Sequence, residues 1–302
     1  MEIKKLQIKL GKLRLDTPVL PASGTFGYGD ELIDTMDYQY IGAIVTKTLT
    51  WKENPGNPPP RIWEFKNGLM NSIGLQNIGV KRFCEEKLKI LLNLDKPLIV
   101  SIGGKNPDDI LRSIEFLSNE NGIDAFELNL SCPNIETNKT VSEDPDSTFK
   151  LINKARQLTN RVLIAKLSPN VTDICKIGIA AEQAGADILC AVNTFKGLYY
   201  DWDRGKMYTG GVSGPMIFPM SFRLVFELYK KVSIPIIGLG GIDSDKKALE
   251  MIFAGASAIG IGTSMVIMPD LASRVCQAIV DYLKKMRKNF CSIVGIRNEK
   301  KH

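Results

Sequence analysis

Eight short apolar runs recur along the chain, at residues 19–22, 43–46, 98–102, 125–129, 162–166, 188–192, 236–238 and 258–261. Their continuous apolar character, without alternation, reads as strands buried on both faces. Between them lie segments with apolar residues at helical spacing: 80–92, 107–119, 146–159, 172–184, 222–231 and 244–254. Strand and helix in alternation predict a parallel sheet covered by helices. Eight such units predict closure into an α/β fold, a (β/α)8 TIM barrel, as one domain over residues 1–302. A doubly wound sheet fits less well, because no glycine fingerprint follows the first strand. Ahead of the repeat, residues 3–15 alternate around Gly11 as a β-hairpin does. Residues 51–77 and 193–215 interrupt it as inserted loops at the carboxyl ends of the strands.

Composition narrows the chemistry. The only histidine is His302, so no Ser/His/Asp triad or Cys-His pair can form and proton transfer must use another group. Six cysteines are scattered without metal-like or paired spacing, as reduced cytoplasmic thiols would be, and neither a disulfide nor a metal is expected. The N-terminus has no signal-peptide apolar stretch, and no run of about twenty apolar residues predicts a membrane span. The net charge of +6 is carried by the ends: residues 1–15 hold +4 and residues 282–302 hold +6, which leaves −4 for the body. A basic end of this kind reads as a solvated, frayed tail rather than a nucleic-acid surface.

The carboxyl ends of barrel strands form the active face. Reading those ends alone collects Ser23, Lys47, Thr48, Ser101, Asn129, Lys166, Asn193, Thr194, Gly240, Gly241, Gly262 and Thr263. Two lysines and several amides or hydroxyls suit a polar ring, and glycine-bearing turns after the last two strands suit a phosphate held by backbone N–H groups. Cys132 stands out among the cysteines. Pro133 stops the strand behind it, so its thiol is presented at a strand end between Asn129 and Asn134. Cys84, Cys175, Cys190, Cys276 and Cys291 read instead as small buried hydrophobes. The run Asn71-Ser72-Ile73-Gly74-Leu75-Gln76-Asn77 joins amides to a glycine that permits close backbone approach, and Gly210-Gly211-Val212-Ser213-Gly214-Pro215 reads as another such turn.

Asn129-Leu130-Ser131-Cys132-Pro133-Asn134, the Asn71 to Asn77 run and Lys166-Leu167-Ser168-Pro169-Asn170 together resemble the motifs of the dihydroorotate dehydrogenases, in order and spacing, over essentially the whole chain. Cysteine at 132 is similar to the soluble class 1 enzymes. Gln76, with the Gly210 to Pro215 run, resembles the NAD-linked class 1B. The resemblance implies tightly bound FMN, oxidation of dihydroorotate to orotate in pyrimidine synthesis, and Cys132 as general base. It implies a substrate ring of Lys47, Asn71, Ser72, Ile73, Gly74, Leu75, Asn129, Asn134, Asn193 and Thr194. It implies FMN contacts from Ser23, Lys47, Thr48, Ser101, Asn129, Lys166, Val192, Gly214, Gly240, Gly241, Gly262 and Thr263. Ser101 stands where the family usually carries asparagine. The resemblance further implies a cytoplasmic homodimer within a heterotetramer, whose second subunit carries FAD and an iron–sulfur cluster. The competing expectations are a fumarate-using class 1A enzyme, a dihydropyrimidine dehydrogenase-like flavoprotein and a tRNA dihydrouridine synthase.

Overall fold

The computed structural model describes residues 6–131, 133, 134 and 139–295, with backbone alone at 133, 134 and 139. In chain order its strands are β1 (Ile8–Leu10) and β2 (Leu13–Leu15), β3 (Val19–Pro21), β4 (Ile44–Val45), β5 (Ile62–Phe65), β6 (Gly68–Asn71), β7 (Leu98–Ile102) and β8 (Ala125–Asn129). There follow β9 (Pro133–Asn134), β10 (Lys139–Thr140), β11 (Val162–Leu167), β12 (Ile188–Ala191), β13 (Phe195–Asp201), β14 (Lys206–Ser213), β15 (Ile236–Leu239) and β16 (Ala258–Ile261). Eight of them form one parallel sheet in the order β3-β16-β15-β12-β11-β8-β7-β4. The Gly42 N–H donates to the Val19 carbonyl at 2.8 Å where β4 returns to β3, closing the barrel. A side chain at Gly42 would meet the Thr17 carbonyl at 2.1 Å, so glycine permits that closure. All eight strands coincide with the apolar runs, and β7, β11, β12 and β16 are buried throughout, as a sheet covered on both faces requires.

The helices start where capping chemistry dictates. Pro107–Leu117 begins with Pro107 in its first turn behind Asn106, whose side chain accepts from the Asp109 N–H, and it buries Ile110, Ile114 and Leu117 on one stripe. Asp144 caps Pro145–Leu158, Asp173 caps Ile174–Gln183, and Ser244 caps Asp245–Phe253 in the same way. Residues 79–92 are helical as expected, with a π-wound middle over Cys84–Leu88. The hairpin β1–β2 forms about Gly11 and buries Leu10, Leu13 and Leu15.

Three expectations are corrected. The basic C-terminal segment is not simply a frayed tail. It begins within the helix Leu271–Met286, whose buried stripe of Val275, Ile279 and Leu283 packs on the barrel, and Phe290 and Ile293 beyond it are buried too. The two inserted loops are also not plain loops. They pair across the barrel mouth into a four-stranded antiparallel sheet, β13-β14-β6-β5, with Asn71 opposite Gly211 and Met70 opposite Val212. Gly210 and Gly211 therefore lie inside a strand rather than in a turn, where a Cβ would meet the Asn71 carbonyl at 2.5 Å or the Thr194 hydroxyl at 2.2 Å. The cysteine expectation holds for Cys190 and Cys276, both buried, and in part for Cys84 and Cys175, but Cys291 is exposed. Burial pushes the Cys84 and Cys276 thiols up to about 12, away from reactive thiolates.

Candidate active site

Strand β8 enters the barrel mouth with Glu127 and Asn129 two residues apart, so both side chains emerge on one face. Glu127 is only 4% exposed, and an acid so deep needs partners. It has them. Ser101 Oγ, on β7, donates to Glu127 Oε1 at 3.0 Å, and Lys166 Nζ, on β11, reaches the same oxygen at 3.5 Å. Thr48 Oγ1 shares a hydrogen bond with Ser101 Oγ at 3.0 Å, and Lys166 Nζ donates onward to Ser23 Oγ at 2.6 Å. The line Thr48, Ser101, Glu127, Lys166, Ser23 thus crosses the barrel as one polar chain. Four of its members were legible at strand ends. Glu127 was not assigned a role, although a lone acid within an apolar run is the signal that could have found it.

Amides gather beside that chain. Asn193 Nδ2 donates to Asn129 Oδ1 at 3.3 Å and to Ser131 Oγ at 3.2 Å, and Asn193 Oδ1 accepts from the Thr194 N–H at 2.8 Å. Asn170 holds the loop from behind: its Nδ2 donates to the Thr194 carbonyl at 3.0 Å and its Oδ1 accepts from the Lys196 N–H at 2.8 Å. Asn71, at the end of β6, donates to the Gly211 carbonyl at 3.3 Å, which ties the 71–77 segment to β14. Within that segment Gly74 and Leu75 have φ of +72° and +55°. Asn54 and Asn57 fix its carbonyls at Gly74 and Ser72, and the Ile73 carbonyl accepts from the Asn57 N–H at 2.9 Å.

Asn77 anchors the segment's far end. Its Oδ1 accepts from the N–H groups of Thr50 and Gly79 at 3.1 and 2.8 Å, and its Nδ2 donates to Thr50 Oγ1 and the Leu75 carbonyl at 2.8 and 2.7 Å. A Cβ at Gly103 would lie 2.8 Å from Thr48 Cγ2, 3.6 Å from Leu75 Cδ1 and 3.7 Å from Asn129 Cβ, so these three meet around one point at the mouth. Lys47 is half-buried next to this rim. Burial, and then the nearby Arg61 guanidinium, push its pKa below the ordinary lysine value. An anion at the rim would relieve both effects.

The opposite side is a close-packed glycine cradle. Gly240 and Gly241 have φ of +118° and +76°, and a Cβ on either would strike Ser221 Oγ at 2.3 Å or the Phe218 nitrogen at 2.5 Å. Gly214, at φ +93°, lets the chain pass Gly68, and Ser213 and Thr263 share a hydrogen bond of 2.9 Å. The helix Phe218–Tyr229 starts against Gly241 with its Phe218 N–H bonded to the Pro215 carbonyl, and the short helix Thr263–Ile267 starts after Gly262 without a side-chain cap. Gly262 itself is less constrained, with its nearest neighbour, Ala22 Cβ, at 3.3 Å. Val192 is buried and donates its N–H to the Leu239 carbonyl at 2.9 Å. The donor set fits a flat, phosphorylated cofactor such as FMN. Cys132 lies outside the described residues. So does the Asn134 side chain, whose backbone pairs with Lys139.

Two lysines, an amide cluster and a glycine cradle at the mouth of a closed parallel barrel define a (β/α)8-barrel enzyme. A family model for dihydroorotate dehydrogenase matches residues 5–284. Among the curated relatives, the protein from Endomicrobium trichonymphae named dihydroorotate dehydrogenase B (NAD(+)), catalytic subunit, is 42% identical over 298 residues, 97% of this chain and 96% of the relative. The protein of the same name from Geotalea daltonii is 40% identical over 285 residues, 93% of each chain. The crystal structure of DHODH from Eimeria tenella in complex with ferulenol shares the fold at TM-score 0.79. It is 24% identical, and the match covers 98% of this chain and 89% of that one. The chain belongs to the dihydroorotate dehydrogenase family of oxidoreductases, and its curated relatives bear the name of the NAD-linked type.

Proposed function

We propose that the protein oxidises dihydroorotate to orotate in pyrimidine biosynthesis, as the FMN-binding catalytic subunit of a class 1B, NAD-linked enzyme. The observation that carries this reading is the joining of Lys166, through Glu127, Ser101 and Thr48, to the mouth where Asn129 and Asn193 meet. Bound FMN would supply the hydride acceptor. Ser23, Lys47, Thr48, Ser101, Asn129, Lys166 and Val192 would hold its ring side, and Gly214, Gly240, Gly241, Gly262 and Thr263 its phosphate. Lys47, Asn71, Asn129, Asn134, Asn193 and Thr194 would surround the substrate together with the backbone of Ser72, Ile73, Gly74 and Leu75. The amides orient the ring without titrating, and Lys47, beside Arg61, attracts the substrate carboxylate. Cys132 takes the ring proton: a thiol with an ordinary pKa of about 8.5 is partly ionised near neutral pH, which suits a general base.

Electrons would leave through a partner subunit carrying FAD and an iron–sulfur cluster. Among the described residues no group of three or more His, Cys, Asp or Glu could hold a metal ion. The words "catalytic subunit" in the relatives' names support a division of labour. Leu198, Trp202, Met207 and Ile62 leave exposed apolar surface on the inserted sheet, which supports a homodimer within the larger assembly. No helix among the described residues is long and apolar enough to cross a membrane, and the reading is of a cytoplasmic enzyme.

The test is anaerobic. The purified chain should show a flavin spectrum that dihydroorotate bleaches and that neither NAD nor fumarate restores unless the partner is added. Restoration by fumarate alone would replace class 1B with class 1A, and a flavin that dihydroorotate never bleaches would refute the activity. Cys132→Ala should keep its flavin and lose the bleaching, while the wild-type rate rises with pH as the thiol ionises.

A further inference from the structure

Glu127 is a buried acid that binding and proton transfer leave unused. It takes hydrogen bonds from both neighbouring strands: the Ser101 hydroxyl at 3.0 Å and the Lys166 ammonium at 3.5 Å. Packing does not require an acid there, because an apolar side chain of like volume fills a barrel layer without desolvating a charge. The carboxylate is matched specifically to Lys166, which is itself 4% exposed. An ammonium has three N–H donors. Two of those on Lys166 are directed to Glu127 and Ser23, which fixes the side chain, and the third has no protein acceptor among the described residues.

We propose that Glu127 is a positioning residue and counter-charge that aims the free N–H of Lys166 at the cofactor and sets the cofactor's reduction potential, an inference that rests on the FMN reading above. Lys166 alone would favour the extra negative charge of the reduced ring. Glu127 cancels part of that pull and keeps the reduced flavin from being over-stabilised. Onward transfer to a nicotinamide, a weak oxidant, depends on that restraint.

The test is the midpoint potential of the bound flavin, read by anaerobic dye equilibration at saturating FMN. Glu127→Gln keeps the shape and removes the charge. It should favour the reduced form at least tenfold, which for two electrons is about 30 mV upward. Glu127→Asp, which keeps the charge, should stay close to wild type. A purely structural role would move stability in both variants and the potential in neither. Where Glu127→Gln fails to fold, the pair Lys166→Gln and Lys166→Gln/Glu127→Gln gives the same information, because the double variant leaves no lone buried charge. The single variant should lower the potential and the double should recover most of the loss. A potential unmoved in Glu127→Gln, or a double variant equal to Lys166→Gln, overturns the proposal while the FMN reading stands. Wild-type protein that takes up no FMN overturns both.

Discussion

Asn77 anchors the far end of the 71–77 segment, and its removal gives a prediction whose size follows from the hydrogen bonds. The side chain is 4% exposed and makes four of them, with both acceptor bonds going to backbone N–H groups, of Thr50 and Gly79. In Asn77→Ala those two donors lose their acceptor in a buried setting. Each such loss costs about 1–3 kcal/mol, so the two together should destabilise the fold by about 2–6 kcal/mol. The freed Leu75 carbonyl, at 2.7 Å from Asn77 Nδ2 in the native chain, no longer holds the loop turn. One such bond is worth about 1 kcal/mol, so the KM for dihydroorotate should rise about fivefold. Asn77→Asp keeps an acceptor for both N–H groups and should spare most of the stability, while its second oxygen, set against the Leu75 carbonyl, should raise KM at least as much. Urea denaturation followed by tryptophan fluorescence reads the first effect, and steady-state kinetics with the partner subunit reads the second. A loss below about 1 kcal/mol with KM unchanged would show that the 71–77 segment is held by something other than Asn77.

Two further outcomes follow from the site. Gly241→Ala places a Cβ 2.5 Å from the Phe218 nitrogen and strains a φ of +76°, so the purified variant should carry little flavin by absorbance, and full loading would refute the phosphate assignment. Lys47 loses its proton below the ordinary 10.5, so orotate affinity should fall as pH rises through that lowered value, before an exposed lysine would titrate. The same shift has a stability consequence of opposite sense: the unfolded chain holds the proton longer, so stability should rise with pH between the lowered pKa and 10.5. Calorimetry on Lys47→Met, which should lack that rise, checks it.

The sequence exposed the barrel strands because burial on both faces leaves uninterrupted apolar runs, and the site residues because they stand at the ends of those runs. The inserted sheet escaped notice because Gly197, Gly210 and Gly211, which its tight packing requires, are the residues that ordinarily announce turns. The helix Leu271–Met286 was not legible for a different reason: Lys284, Lys285, Arg287 and Lys288 give its end the character of a solvated tail, which masks the Val275, Ile279, Leu283 stripe preceding them. Glu127 shows the limit of reading ends alone, since its partners Ser101 and Lys166 lie 26 and 39 residues away and only the register brings them together. The strand end before Cys132 was readable because Pro133 marks it, and Cys132 itself lies outside the described residues.

The pairing of β6 with β14 joins segments 140 residues apart, as the Asn71 to Gly211 bond measures. Chain emerging from a ribosome at about 5–20 residues per second would leave the first hairpin, Ile62–Asn71, waiting roughly 7–30 seconds for its partner strand. During that interval β6 has an open edge next to Trp63 and Met70, side chains that the finished sheet buries. Closing so long a loop is entropically slow, so the barrel's early strands can be in register well before the mouth exists. The barrel itself closes later still, because β15 and β16 follow β14 in the chain and β16 must reach back to β3, so a chain cut between the two hairpins loses the mouth and the core together.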